Sequence, residues 1–221
     1  MTRYRLLDAD FLVNLIRTLS LIKDYDPSTN NKIQQICDSC DSNHYQFIST
    51  NFVEKEVNEI TKMHNPSSYE LFFEPKKAEA LRIKKEVFKT IRFIDMRKNP
   101  LMSIYKVTEP RNLGEISLVS LLSSNYSALI NSSGDSVKIV SNNTKDVMSY
   151  LKEIKKINSR ISQYDVSLMI MQNYEFYYDL FNHLGFDQSF RFYYYFVSNI
   201  DARVCNKNKI KQLLYNETGY S

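Results

Sequence analysis

The chain is poor in residues that interrupt structure. Four glycines and five prolines among 221 residues argue against disorder and against a turn-rich all-β fold. Cysteine is equally sparse, and Cys37, Cys40 and Cys205 are an odd trio that does not suggest a disulfide framework. Cys37-Asp38-Ser39-Cys40 has metal-like spacing with His44 close behind. A structural zinc site needs four ligands, usually with a second clustered pair, and the remaining histidines, His64 and His183, each stand alone. Reduced thiols are the expectation. No stretch approaches the roughly 20 apolar residues of a membrane span. The N-terminus carries Arg3 and Arg5 but no long apolar signal region. A cytoplasmic, unprocessed protein with no membrane association is therefore expected. No Walker-type Gly-rich loop is present, and no Ser-His-Asp or Cys-His arrangement suggests nucleophilic catalysis.

A hydrophobic fraction of 43%, with 16 tyrosines and 13 phenylalanines, is enough for a real core in one large domain or a domain with an extension. The net charge of +4 is unevenly placed. Residues 75–98 hold nine Lys or Arg against three acids, so the rest of the chain is slightly acidic. Within that segment Ala80, Ile83, Val87, Ile91 and Ile94 fall at helical spacing, with Pro75 suited to the first turn. Arg82, Lys85, Lys89 and Arg92 repeat with the same period. The plain account of that basic stripe is a solvated face. The sharper one is a face that tracks a phosphate backbone, because cations at that pitch neutralise successive phosphates.

Elsewhere strands and helices alternate. Strands are expected at 5–7, 44–48 and 136–141, and helices at 10–22, 52–63, 112–123 and 145–161. Such alternation implies a parallel sheet with crossover helices. Residues 33–37 are a further short helix candidate. In the last 60 residues Val166, Met169, Ile170, Asn173, Tyr177, Phe181 and Leu184 mark one helix face, closed by Gly185. The aromatic run 191–197 is ambiguous between helix and strand, and reads as core, a dimer surface or a base-stacking platform.

The chemistry gathers where strands end. Leu6-Leu7-Asp8-Ala9-Asp10-Phe11-Leu12-Val13 places Asp8 at the carboxyl end of the first strand, the edge at which open α/β sheets bind ligands. Ile48-Ser49-Thr50-Asn51-Phe52-Val53-Glu54 puts Glu54 in the first turn after the second strand. Gly114-Glu115-Ile116-Ser117 opens a later helix, and Ser141-Asn142-Asn143-Thr144-Lys145-Asp146-Val147 follows the last expected strand. In a parallel sheet all four positions converge on one edge. Capping is the competing account. Asp8 or Asp10 suits an N-cap. Asn51 with Glu54 and Asn112 with Glu115 have capping-box spacing, and Asp146 suits a helix first turn.

These four motifs, in this order, resemble the PIN-domain nucleases, including the toxin nucleases of bacterial toxin–antitoxin pairs. The resemblance covers roughly residues 1–160. It implies an α/β fold of three layers, α/β/α, with a central parallel sheet, a basic helical insertion over 64–111 and a mostly helical C-terminal extension over 161–221. It implies an acidic pocket for Mg²⁺ or Mn²⁺, with Asp8, Glu54 and Glu115 as metal-binding carboxylates. Asp146 and Asn143 would form the fourth element, Asp146 as a further ligand. Many relatives carry Asp at the place of Asn143, so the second metal's place is the point of departure. The implied activity is a metal-dependent endoribonuclease, with RNA as substrate and DNA as the alternative, and Arg82, Lys85, Lys89 and Arg92 on the nucleic acid. A homodimer and a neutralising protein are the protein partners implied. The rival reading is a weakened relative that serves as a nucleic-acid- or protein-binding module.

The chemistry of the residues agrees with that expectation. Mg²⁺ is a hard cation that takes oxygen ligands. Three carboxylates offset one or two divalent ions, which activate water and stabilise displacement at phosphorus.

Overall fold

A computed structural model describes residues 2–22, 38, 45–60, 77–102, 112–129, 136–157, 165–173 and 175–176. The expectations for residues 33–37, 64, 183–185 and 191–197, and for the three cysteines, lie outside these. The elements in chain order are β1 (Arg3–Leu7), α1 (Ala9–Ile22), β2 (Tyr45–Thr50), α2 (Asn51–Ile60), α3 (Lys77–Lys89), β3 (Ile91–Ile94), α4 (Leu113–Leu129), β4 (Ser136–Val140), α5 (Thr144–Ile157), a 3₁₀ turn (Val166–Met169) and β5 (Ile170–Met171). The fold is α/β. Five parallel strands form one sheet in the order β3-β2-β1-β4-β5, flanked by helices.

Strand β1 lies at the centre, and Arg5, Leu6 and Leu7 are buried, as a strand covered on both faces requires. Helix α1 buries Phe11, Leu12, Leu15 and Ile16, an apolar stripe at helical spacing. Helix α4 is buried on nearly every side. Ile116, Leu118, Val119, Leu121 and Leu122 alternate with buried Ser117, Ser120 and Ser123, whose small side chains let neighbours approach. Among the described residues, no helix is long and apolar enough to cross a membrane.

Two expectations need correction. The apolar stripe over 80–94 does not belong to one helix. Helix α3 ends at Lys89, Thr90 turns the chain, and Ile91 and Ile94 lie in β3 at the sheet edge. Ile91 and Ile94 fit a helical stripe by coincidence of spacing, while the β-branched and aromatic content of Thr90-Ile91-Arg92-Phe93-Ile94 favours a strand. The segment 64–111 therefore supplies an edge strand as well as a basic helix. Likewise the start of the face expected from Val166 is a 3₁₀ turn that passes into β5, paired with β4 through Ile139–Ile170 and Val140–Met171, while Tyr177, Phe181 and Leu184 lie outside the described residues. Beyond β5, Phe176 is fully buried against Phe11, Tyr45 and Phe47 at ring separations of 5.1, 5.8 and 5.9 Å. The sheet and its aromatic core thus reach past residue 160.

Strand order fixes where a ligand fits. From β1 the chain steps to β2 and β3 on one side, then returns to β4 on the other side of β1. The switch lies between the carboxyl ends of β1 and β4, where the connections diverge and leave a crevice.

Candidate active site: an acidic pocket at the sheet switch point

Asp8 and Ser141 sit on either side of that crevice, one residue beyond the paired Leu7 and Val140. The Asp8 N–H donates to Val140 O at 3.1 Å, which extends the ladder by one bond. Its carbonyl accepts from Leu12 N, and its Oδ1 from Ala9 N at 2.8 Å, so Asp8 also caps α1. Capping uses one carboxylate oxygen. It does not explain why a side chain only 4% exposed is an acid. Burial, then the charges of Asp10 and Glu115, push the Asp8 carboxyl well above its ordinary pKa, against hydrogen bonds from Ser141 and Ala9.

Asp10 lies two residues on, in the first turn of α1. Its Oδ1 accepts from Phe11 N at 2.6 Å and its Oδ2 from Asn142 N at 2.8 Å, which ties α1 to the loop after β4. Burial pushes its pKa to about 6, with Glu115 adding to the rise, although the Asn142 N–H, the Asn173 amide and the Phe11 N–H favour the charged form.

The second-strand motif contributes a different acid from the one expected. Glu56 Oε2 lies 2.8 Å from where a Cβ on Gly114 would stand, and Asp8 Oδ1 lies 3.6 Å from the same point. Withdrawal from water, then the charges of Glu115, Asp10 and Glu59, push the Glu56 pKa to about 7. Glu56 is an exposed side chain, so solvent screens it more than Asp8 or Asp10. Helix geometry accounts for the exchange. Val53 and Val57 face the core, and residues two apart on a helix diverge by about 160°. Glu54 and Glu56 therefore flank opposite sides of that buried face, and Glu56 takes the pocket side. Glu54 is not among the charges that raise Asp8, Asp10 or Glu56.

Glu115 does reach the cluster. Its Oε1 accepts from Asn143 Nδ2 at 2.9 Å, and the same nitrogen donates to Asp146 Oδ2 at 3.0 Å. The expected capping boxes are not what these side chains build. Asn112 donates to Tyr150 Oη at 2.9 Å, and Asn51 Oδ1 accepts from Met96 N at 2.8 Å. Thr50 caps α2 instead, accepting from Val53 N at 3.3 Å. Thr50 Oγ1 also meets Ser117 Oγ at 2.6 Å, and Ser117 donates to Gly114 O at 2.6 Å. This buried hydroxyl chain pins the N-termini of α2 and α4 together, and with them Glu56 and Glu115.

The structure thus brings together Asp8, Glu115, Asn143 and Asp146 from the expected set. It adds Asp10 and Glu56, and the turn of α2 sets Glu54 on the flank opposite Glu56. The basic residues stand apart from the pocket. Arg82, Lys85 and Lys89 are exposed on α3, where Lys89 pairs with Glu86 at 3.0 Å. Arg92 is exposed on β3, two strands from β1.

The donor set suits a hard divalent cation, being carboxylate and amide oxygen throughout. Gly114 adds room, since a side chain there would occupy the space taken by Glu56. Among the described residues, no three acids, histidines or cysteines already stand as a metal-holding group. Asp8, Asp10 and Glu115 crowd one another electrostatically without forming a finished cage. Compared with known proteins, the chain matches no family model, no curated protein and no solved structure.

Proposed function

We propose that this protein is a metal-dependent phosphodiesterase of the PIN-like kind, an endoribonuclease that works through Mg²⁺ or Mn²⁺. One observation carries the reading. Acids from three separate helices and one strand end crowd the sheet's switch point, where Asp8 is buried, Asp10 is half-buried and the proton affinity of both is raised. Buried acids that repel one another cost stability, and perturbed carboxyls in a crevice are a mark of functional sites.

Asp8, Asp10, Glu56 and Glu115 would hold the cation, with Asp146 at the margin of the pocket. When bound, the cation neutralises these carboxylates, lowers the pKa of water and stabilises charge on a phosphoryl oxygen. The chain's own groups do the positioning. Asn143 holds Glu115 and Asp146 in fixed relation through one nitrogen. The Thr50–Ser117 pair holds α2 against α4. Without the cation Glu56 holds a proton up to about pH 7, so loading the site would release it. Arg82, Lys85 and Arg92 would guide the phosphate backbone by long-range attraction rather than contact the reacting phosphate.

A binding module is the second reading, favoured by one observation: Asn143 already satisfies an oxygen of Glu115 and of Asp146 without a cation. Labelled RNA and DNA assayed side by side with Mn²⁺, joined to calorimetry, separate the readings. The expected result is RNA cleavage that stops with a chelator. In Asp8→Asn, cleavage falls about a hundredfold or more with the fold intact, because the cation supplies several kcal/mol of charge stabilisation. Undiminished cleavage by Asp8→Asn excludes the assignment. Absence of carboxylate-dependent Mn²⁺ binding in the wild type favours the binding module.

A further inference from the structure

Asn173 lies two residues beyond β5, outside every motif that marked the pocket in the sequence. It is 1% exposed, and neither its Oδ1 nor its Nδ2 has a hydrogen-bond partner. Among the described residues it is the one amide side chain buried with both ends unsatisfied. Such a group is destabilising, and native structures rarely keep one without a use.

Its position is tightly determined. Val140 pairs with Met171, and Ser141 N donates to Met171 O at 3.1 Å, so the chains after β4 and β5 run side by side. Asn173 N then donates to Asn142 Oδ1 at 3.4 Å, while Asn142 N donates to Asp10 Oδ2 at 2.8 Å. One helical turn on, Phe176 is locked among Phe11, Tyr45 and Phe47. The Asn173 amide adjoins Asp10 closely enough to favour its charged form, yet completes no hydrogen bond of good geometry. Rigid placement, burial and unused bonding capacity thus coincide at the wall of the acidic pocket.

We infer that Asn173 is a positioning residue of this pocket, a neutral amide that orients the Asp10 carboxylate for a divalent cation. The inference rests on the metal-dependent reading above. It extends the site to a segment past the last strand and gives Asp10 a specific supporting partner. A neutral amide suits the place. A carboxylate there would add a further negative charge to an already crowded cluster, and a cation would compete with the metal.

The test compares Asn173→Leu with the wild type in the full chain. Leucine has nearly the same shape and no polar atoms, so removal of an unsatisfied amide leaves the melting temperature in chelator unchanged or higher. Mn²⁺ affinity by calorimetry is expected to fall about tenfold to a hundredfold, the range typical when a ligand loses its supporting group. In RNA cleavage kcat falls while KM holds. The pair Asn173→Ser and Asn173→Ala covers the case in which leucine does not fold. The two leave similar space, and serine, with a hydroxyl, is expected to keep more Mn²⁺ affinity than alanine. Wild-type Mn²⁺ affinity in Asn173→Leu overturns the inference, as does equal affinity in the serine and alanine variants. Failure of the underlying reading is separately visible: the wild type then takes up no Mn²⁺, or Asp8→Asn takes it up equally well, and the inference falls with it.

Discussion

Substitution of Gly114 by alanine separates stability from function at this site. The new Cβ would stand 2.8 Å from Glu56 Oε2, inside the contact limit, and 3.6 Å from both Asp8 Oδ1 and Val53 Cγ2, which is ordinary contact. The one atom that must yield is the tip of a flexible, exposed side chain, so relief requires only that Glu56 swing toward solvent. The backbone resists little, because Gly114 lies in the first turn of α4. Alanine is favoured over glycine in a helix by up to about 1 kcal/mol. For a chain of this size 1 kcal/mol corresponds to roughly 2–4 °C. The melting temperature of Gly114→Ala in chelator is therefore expected to stay level or rise by up to about 4 °C. Mn²⁺ affinity and RNA cleavage fall about tenfold or more, because the pocket has lost a carboxylate. Differential scanning fluorimetry, calorimetry and a labelled-RNA assay read the three quantities. Unchanged Mn²⁺ affinity would refute the assignment of Glu56 to the pocket. A fall of several degrees in melting temperature would refute the claim that only a side-chain tip gives way.

Other predictions follow from the same cluster. The folded protein holds protons on Glu56 and Asp10 up to about pH 7 and 6, above the ordinary values of 4.5 and 3.8. Between about pH 4 and 7 the folded state thus binds more protons than the unfolded, so metal-free stability is expected to fall as pH rises through that window. A metal-free denaturation series that gains stability across this range contradicts the shifts. Cation binding near pH 6 is expected to release protons, read as a dependence of calorimetric heat on the buffer's ionisation enthalpy; heat independent of buffer counts against it. Thr50→Val removes the α2 cap and a buried partner of Ser117, and is expected to cost about 1–2 kcal/mol in urea denaturation. A neutral result there would mean that the hydroxyl chain does not hold α2 against α4.

Much of the fold could be read from the sequence, because central strands and amphipathic helices carry strong periodicity. Strands β1, β2 and β4 announce themselves by short apolar runs that end in polar residues. Strands β3 and β5 do not. Residues 91–94 continue a helical spacing, and Ile170-Met171 is a two-residue strand that has meaning only beside β4. The pocket was legible to the same degree. Asp8, Glu115, Asn143 and Asp146 follow from strand ends and helix starts. Asp10 was visible only as a helix-cap candidate, because its burial depends on Asn142 arriving from β4. Asn173 stands in the sequence only as one position of an expected helix face, with nothing to tie it to the acids. Glu54 and Glu56 are the instructive pair, since both lie within two turns of the second strand's end and position alone cannot choose between them. The buried Val53 and Val57 do choose, because they orient α2. That choice is open to a direct measurement with Glu54→Gln and Glu56→Gln, each of which removes one charge and almost no volume. Glu56→Gln is expected to weaken Mn²⁺ binding about tenfold or more, and to flatten the loss of metal-free stability toward pH 7 by removing a carboxyl that holds its proton up to about that pH. Glu54→Gln is expected to change neither. The reverse pattern would restore Glu54 to the pocket and would show that the helix face defined by Val53 and Val57 does not govern which acid enters.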